Sequence, residues 1–203
     1  MKKLAIIGAG GHGKVVADIA KKNGYEKIFF LDDCNRDNFL GSYPIIGDTD
    51  SVIPEDYDLF IAIGNAETRR KMTGKFLDRN IITLIHPDAI IADDVKLGRG
   101  TCVMAGAVIN PGVAIGEGCI VNTSSSVDHD SVLDDYVHVS VGAHIAGTVI
   151  VGDGTWVGIG AVISNNINVC RNCMLGAGTV VVKDILTSGT YVGVPARLIK
   201  LGD

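Results

Sequence analysis

Residues 85–120 read IHPDAI IADDVK LGRGTC VMAGAV INPGVA IGEGCI, six blocks of six, each opening on Ile, Leu or Val. Continued to Val181, the same step lands on seventeen aliphatic residues in succession: Ile85, Ile91, Leu97, Val103, Ile109, Ile115, Val121, Val127, Leu133, Val139, Ile145, Val151, Val157, Ile163, Val169, Leu175 and Val181. Ile, Leu and Val fill 59 of 203 positions, so chance produces such a run on the order of once in a billion in a given phase. The position after each rung is often Gly, Asn, Asp or Ser, as at Gly98, Asn110, Gly116, Asn122, Gly152, Gly158 and Gly176, and those types suit a turn. Four residues after each rung the side chains are mostly small (Ala89, Thr101, Ala107, Cys119, Ser125, Ser131, Ala143, Thr155, Ala161, Cys173), as the corner of a narrow coil requires. A period of six is neither 3.6 nor 2 and marks a parallel β-helix, three hexads to an 18-residue triangular coil. Seventeen hexads predict nearly six coils.

The composition agrees. Apolar residues make up 47% and aromatics only 5%, so the core must be built from aliphatic side chains rather than rings. A net charge of −5, with 18 basic residues scattered along the chain, offers no block that could neutralise a run of phosphates, and nucleic acid is not expected as a partner. No stretch reaches the length of a membrane span. The apolar run after Lys2 and Lys3 ends at once in GAGGHG without a cleavage-type segment. Five cysteines, Cys34, Cys102, Cys119, Cys170 and Cys173, then read as reduced thiols in the cytoplasm. Cys170 and Cys173 form a CxxC with no second pair and no nearby His, so no metal is expected.

Ahead of the repeat, KLAII (3–7) leads into GAGGHG (8–13), a helical pattern through Val15, Val16, Ile19 and Ala20, and IFFL (28–31) closing on Asp32 and Asp33. This is a βαβ unit. Gly8, Gly10 and Gly13 keep the GxGxxG spacing that brings backbone N–H groups and a helix N-terminus to a phosphate, with an acid at the next strand end for a ribose. After a third strand at Leu59 to Ile63, fewer than 25 residues remain before the repeat, too few for the second half of a dinucleotide fold. The reading is a nucleotide-sugar-binding Rossmann-like half domain over 1–82 and a β-helix over 83–203 with a C-terminal cap; NAD is the competing ligand for the glycine motif.

Of five histidines, His12 lies in the phosphate loop and His86 beside Pro87. Counted modulo 18, His129, His138 and His144 cannot share one face of one subunit, and packing about a threefold axis would bring His129 of one subunit toward His138 of the next. His129 lies in NTSSSVDHD (122–130), a polar stretch in an apolar repeat, between Asp128 and Asp130. A neighbouring carboxylate raises imidazole basicity and fixes its tautomer. Such an imidazole can act as a base that takes the proton from an attacking amine or hydroxyl.

The six-residue pattern, together with GAGGHG, LDD (31–33), IAIGN (61–65), NTSSSVDHD, HVSVGAHIAG (138–147) and GVPAR (193–197), resembles the hexapeptide-repeat acetyltransferases of bacterial nucleotide sugars, from the first strand to Arg197. The match is best to the UDP-4-amino-sugar N-acetyltransferases of the bacillosamine pathway; sialic acid O-acetyltransferases share the architecture. The resemblance implies a left-handed β-helix, a homotrimer with sites between subunits, acetyl-CoA as co-substrate and a UDP-linked 4-amino-4,6-dideoxy sugar as acceptor in bacterial glycan biosynthesis. It implies His129 as general base and Asp130 as the residue that raises its basicity, where the family commonly has Glu. It places Gly10, Gly11, His12, Asp32, Asp33 and Gly64 at the nucleotide sugar, and His138, Gly147, Ile159 and Ala177 along acetyl-CoA, with the Gly147 N–H at the oxyanion. Three rivals stay open: O-acetylation of a sugar hydroxyl, a zinc enzyme of carbonic anhydrase type, and a non-catalytic nucleotide-sugar-binding protein.

Overall fold

The computed structural model describes residues 1–202, which divide into two compact units, Met1–Pro87 and a second from Asp88 onward. The first contains β1 (Lys2–Ile7), α1 (Gly11–Lys22), β2 (Tyr25–Leu31), β3 (Phe39–Leu40), β4 (Tyr43–Gly47), β5 (Asp58–Ile61), α2 (Ala66–Lys75) and β6 (Leu84–Ile85). Five of the strands form one sheet in the order β3-β4-β2-β1-β5. Strands β2 and β5 flank β1 in parallel. A strand covered on both faces reads as a continuous apolar run, and Leu4, Ala5 and Ile6 at its centre are fully buried. Helix α1 buries Val16, Ile19 and Ala20 and turns Val15 outward. Helix α2 is capped by Asn65, whose side chain accepts the Thr68 N–H.

The second unit is a parallel β-solenoid of two-residue strands stacked at a step of 18. One face runs Ile90–Ile91, Val108–Ile109, Ser126–Val127, His144–Ile145, Val162–Ile163, Val180–Val181. A second contains Lys96–Leu97, Ala114–Ile115, Val132–Leu133, Ile150–Val151 and Asn168–Val169. The third runs from Cys102–Val103 to Met174–Leu175 and is closed by the antiparallel pair Gly189–Val192 and Arg197–Leu201. We number these faces one, two and three.

Every rung from Val103 to Val181 points inward and is at most 4% exposed, each contributing roughly 1.5–3 kcal/mol by burial. Ile91 and Leu97, on the first coil, are only half-buried. Ile85 belongs to the front unit and is 37% exposed. The corner column is filled as its small side chains require: Thr101, Ala107, Cys119, Ser131, Ala143, Thr155 and Ala161 are fully buried.

The turns lie elsewhere than expected. Positive φ recurs three residues after each rung, at every sixth residue from Gly100 to Gly178, and not at the residue that follows the rung. The glycines after the rungs answer a different demand: a Cβ on Gly98 would come within 2.5 Å of the Glu117 backbone nitrogen on the next coil, and one on Gly152 equally close to that of Arg171. They admit the neighbouring coil, whereas the positive-φ column makes the corner. Six residues without glycine's freedom occupy that column, among them Asp130 and Asn172, types that tolerate the left-handed region better than most.

Candidate active site

Because the stacking step is 18, residues 18 apart in sequence sit one above another, and this assembles the neighbourhood of His129. Its ring follows the strand Ser126–Val127 at the corner between faces one and two. One coil further on, Gly147 occupies the same column, and a Cβ there would lie 2.5 Å from His129 Nε2 and 2.6 Å from Cε1. The imidazole thus occupies the volume that Gly147 leaves vacant. The Thr148 N–H donates to the His129 carbonyl at 2.8 Å, tying the two coils at this point.

Two carboxylates serve the ring. His129 Nδ1 donates to Asp130 Oδ2 at 2.9 Å, which places the proton on Nδ1 and leaves the Nε2 lone pair to accept another. Asp128 Oδ1 accepts the His129 backbone N–H at 2.8 Å and the Asn110 side-chain amide at 2.7 Å. The Asp130 hydrogen bond, and after it the charge of Asp128, push the His129 pKa above the ordinary imidazole value. The Asn110 amide and the His129 N–H hold Asp128 below the usual carboxylate range. The His129 side chain remains 57% exposed, so the ring is open to solvent. The sequence reading placed Asn110 only among the turn residues, although the signal for its contact was present: it stands 18 residues before Asp128.

The other histidines of the solenoid are placed separately. His144 stands outward on face one, with Nδ1 2.9 Å from Ser126 Oγ. His138 is buried on face three, packed on Trp156 at 4.6 Å between ring centroids, with its Nε2 3.1 Å from Asn122 Nδ2. Ile159 and Ala177 share one column at the corner between faces three and one and are both exposed. Within a single chain His129 and this column flank the same outer face, while His138 lies on another.

In the front unit the glycines of GAGGHG divide into two kinds. Gly8 has φ +108°, and a Cβ on it would lie 2.7 Å from the Ala62 carbonyl oxygen; a Cβ on Gly13 would collide with the Gly8 carbonyl. Both are demanded by the protein's own packing. Gly10, Gly11 and Gly64 would meet no protein atom, so their bare backbone faces open space. Gly10 is also the N-cap of α1 and makes no side-chain capping bond, which leaves the first N–H groups of a twelve-residue helix for an anion.

Asp32 is committed to its own loop: Oδ2 accepts the Ala9 N–H at 2.6 Å, and Oδ1 those of Cys34 and Asn35 at 2.8 and 2.7 Å. Burial pushes this carboxyl up, but the backbone donors from Asn35, Ala9 and Cys34 outweigh it and hold it below the usual range. Asp33 binds Thr49 through its N–H and hydroxyl and stays exposed. Both acids line a pocket of about 260 Å³ with Gly8, Cys34, Thr49 and Thr68. The His12 ring is partly exposed, yet its Nε2 is closed off from solvent and has no hydrogen-bond partner. Burial, and secondly the charge of Arg69, bring its pKa down to about 4, so this imidazole is neutral at neutral pH. Arg69 is itself buried and donates to the carbonyls of Ile63 and Gly64, shaping the turn that presents Gly64.

Among the described residues, no group of three or more His, Cys, Asp or Glu is gathered to hold a metal ion, and no helix is long and apolar enough to cross a membrane.

Known proteins resemble both units. A family model described as the PglD N-terminal domain matches residues 3–76. The acetyltransferase domain of PglB from Neisseria gonorrhoeae FA1090 is 41% identical with a TM-score of 0.94, over 98% of this chain and 100% of that one; a second structure of it is in complex with acetyl coenzyme A. A mutant of perosamine N-acetyltransferase from Caulobacter crescentus, in complex with CoA and GDP-perosamine, is 34% identical with a TM-score of 0.93, over 100% of this chain and 98% of that one. UDP-N-acetylbacillosamine N-acetyltransferase of Bacillus subtilis (strain 168) is 36% identical over 114 residues, a match spanning about half of each protein, 52% of this chain and 52% of that one.

Proposed function

The chain belongs to the hexapeptide-repeat sugar acetyltransferases, and we propose that it transfers the acetyl group of acetyl-CoA to the 4-amino group of a UDP-linked amino-dideoxy sugar. Residues 1–82 serve the nucleotide sugar and 83–203 the acetyl donor. The observation that carries this reading is the His129 corner. An imidazole whose Nδ1 is tied to Asp130 presents Nε2 as a base with raised basicity, directly over a residue without a side chain.

In the reaction the neutral amine attacks the thioester carbonyl while His129 Nε2 takes its proton; the tetrahedral oxyanion is held by a backbone N–H, for which Gly147 is the candidate, and collapses to expel the CoA thiolate. Asp130 sustains the basicity of His129, and Asp128, fixed by Asn110, adds its charge. Acetyl-CoA lies along His138, Gly147 and the exposed column of Ile159 and Ala177, with Ala177 offering only its backbone. Since His138 is on a different face from His129, a complete site draws on two protomers, and we read the working enzyme as a homotrimer of the cytoplasm. At the nucleotide sugar, Gly10, Gly11 and Gly64 give the phosphates access to backbone, Asp32 holds the loop closed, Asp33 lines the pocket, and His12 presents a neutral ring. Support comes from two similar proteins, one named for a UDP-linked amino sugar and one whose structure is in complex with GDP-perosamine.

Purified protein incubated with acetyl-CoA and a panel of UDP-, GDP- and dTDP-linked 4-amino sugars tests the reading. Release of the CoA thiol is expected with the UDP-linked 4-amino-4,6-dideoxy sugars, giving a product that resists hydroxylamine, as an amide does. A hydroxylamine-labile product would make the enzyme an O-acetyltransferase. Binding without thiol release would make it a non-catalytic receptor.

A further inference from the structure

The hexad pattern accounts for Cys173 but not for Cys170. Cys173 stands in the corner-filling column with Thr101, Cys119, Val137 and Thr155, and is buried as they are. Cys170 stands in the column of Gly98, Gly116, Asp134 and Gly152 and packs against the core from its edge. It is partly exposed on an open groove with Arg171, Ile185 and Leu186. Its Sγ lies 3.5 Å from that of Cys173.

The two residues are the ends of a four-residue turn whose third member, Asn172, has φ +54°. Such a turn keeps its terminal Cα atoms within about 7 Å, close to the ~4.4–6.8 Å that a disulfide spans. Both ends are anchored. Cys170 N–H donates to the Ile185 carbonyl at 2.8 Å. Thr155 Oγ1 donates to the Cys170 carbonyl and accepts the Cys173 N–H, each at 3.1 Å. Bringing the sulfurs from 3.5 Å into bonding distance therefore asks for side-chain rotation across a turn whose two ends are held near one another.

We propose that Cys170 and Cys173 form a redox-active dithiol that closes to an intramolecular disulfide by exchange with low-molecular-weight disulfides. Cys170, the reachable sulfur, attacks as its thiolate. The disulfide bond of the small molecule breaks, one thiolate leaves, and a mixed disulfide forms on Cys170. Cys173 then gives its proton to solvent base, attacks the Cys170 sulfur and expels the second small thiolate. Two protein thiols are oxidised, and one small disulfide is reduced to two thiols. Burial, then the hydrogen bond and charge of Cys170, hold the Cys173 thiol up at about 12. Capping Cys170 as a mixed disulfide removes the last two of these, so the resolving thiol becomes easier to ionise at the step that needs it. Cys102, by contrast, is sealed in the fold, and burial alone raises its thiol to about 12.

The test uses the full chain and oxidised glutathione, followed by alkylation under denaturing conditions and tryptic mapping. Arg171 lies between the two cysteines, so trypsin separates peptide 100–171 from peptide 172–183. In the native chain these two peptides are expected to stay joined until reductant is added. In Cys170→Ser they separate, and in Cys173→Ser peptide 100–171 carries one glutathione that Cys170 retains. The inference is overturned if peptide 172–183 emerges unlinked from the oxidised native chain, or if the link persists in Cys170→Ser, which would assign it to Cys102 or Cys119.

Discussion

In the front unit Gly10, Gly11 and Gly64 lack side chains although no protein atom occupies the vacated space, whereas in the solenoid Gly147 lacks one and the His129 ring fills the gap. The first arrangement leaves room for something that arrives from solvent; the second shapes a group that is already present. A third kind, Gly8 and Gly13, is required by the chain's own backbone. The GAGGHG motif alone cannot sort these, because spacing shows where glycine occurs and not what presses against it. What a Cβ would strike does sort them, and the distinction assigns different consequences to substitutions that look alike on paper.

The largest effect is expected at the occupied gap. His129→Ala removes the proposed base and should lower kcat/KM by roughly 10²- to 10⁴-fold, while the melting temperature holds, because the ring is more than half exposed. Turnover near that of the native protein would end its role as base. Gly147→Ala tests the gap itself. Its Cβ would displace Nε2 from 2.5 Å, and a misplacement of about 1 Å at a reacting group costs about 10²-fold in rate. The loss should appear in kcat with little change in the KM for nucleotide sugar. Native kcat in this variant would show that the position of the ring over Gly147 is not the productive one.

That contrast also explains what could be read from the sequence. The solenoid was legible because its rule is one-dimensional: a rung every six residues, all inward from Val103 onward. The same periodicity misplaced the turn. Glycine after a rung and glycine three residues later look equivalent in a string, and only coil-to-coil contact separates Gly98, which admits Glu117, from Gly100, which makes the corner at φ +69°. Within the candidate site, His129 and its flanking acids stood out as polar residues in an apolar repeat. Asn110 did not, since its effect passes through Asp128 one coil away. In the front unit the βαβ pattern was plain, but the capture of Asp32 by Ala9, Cys34 and Asn35 was not, because it depends on how the loop closes.

A smaller effect, with a sign, is expected from Asp130→Asn. A general base acts deprotonated, so kcat/KM rises with pH through the pKa of His129. That pKa is raised first by the hydrogen bond to Asp130 and next by the charge of Asp128, which sets the acidic limb above the ordinary imidazole position. Asparagine tolerates the left-handed backbone at position 130 but cannot favour imidazolium by charge. The limb should therefore move to lower pH, and the plateau should fall about 3- to 10-fold as the base weakens. His12 cannot produce this limb, since its pKa of about 4 lies below the window. An unmoved limb in Asp130→Asn would detach Asp130 from the base.

The smallest effect separates the open glycines from the structural ones. Gly10 sits at φ −103° and ψ −165°, a conformation open to any residue, and its Cβ would touch no protein atom. Gly10→Ala should cost about 1 kcal/mol of stability at most, because alanine is a poorer N-cap than glycine, and raise the KM for nucleotide sugar a few-fold, with the KM for acetyl-CoA unchanged. Gly8→Ala should do the reverse. At φ +108°, with the Ala62 carbonyl in the way, it should cost about 1–3 kcal/mol of stability. In the protein that still folds, KM should follow the loop geometry and not any direct clash with ligand. If Gly10→Ala binds nucleotide sugar as the native protein does, the space beside Gly10 is not where the phosphates lie, and the anion must be sought further along the helix end, toward Gly64.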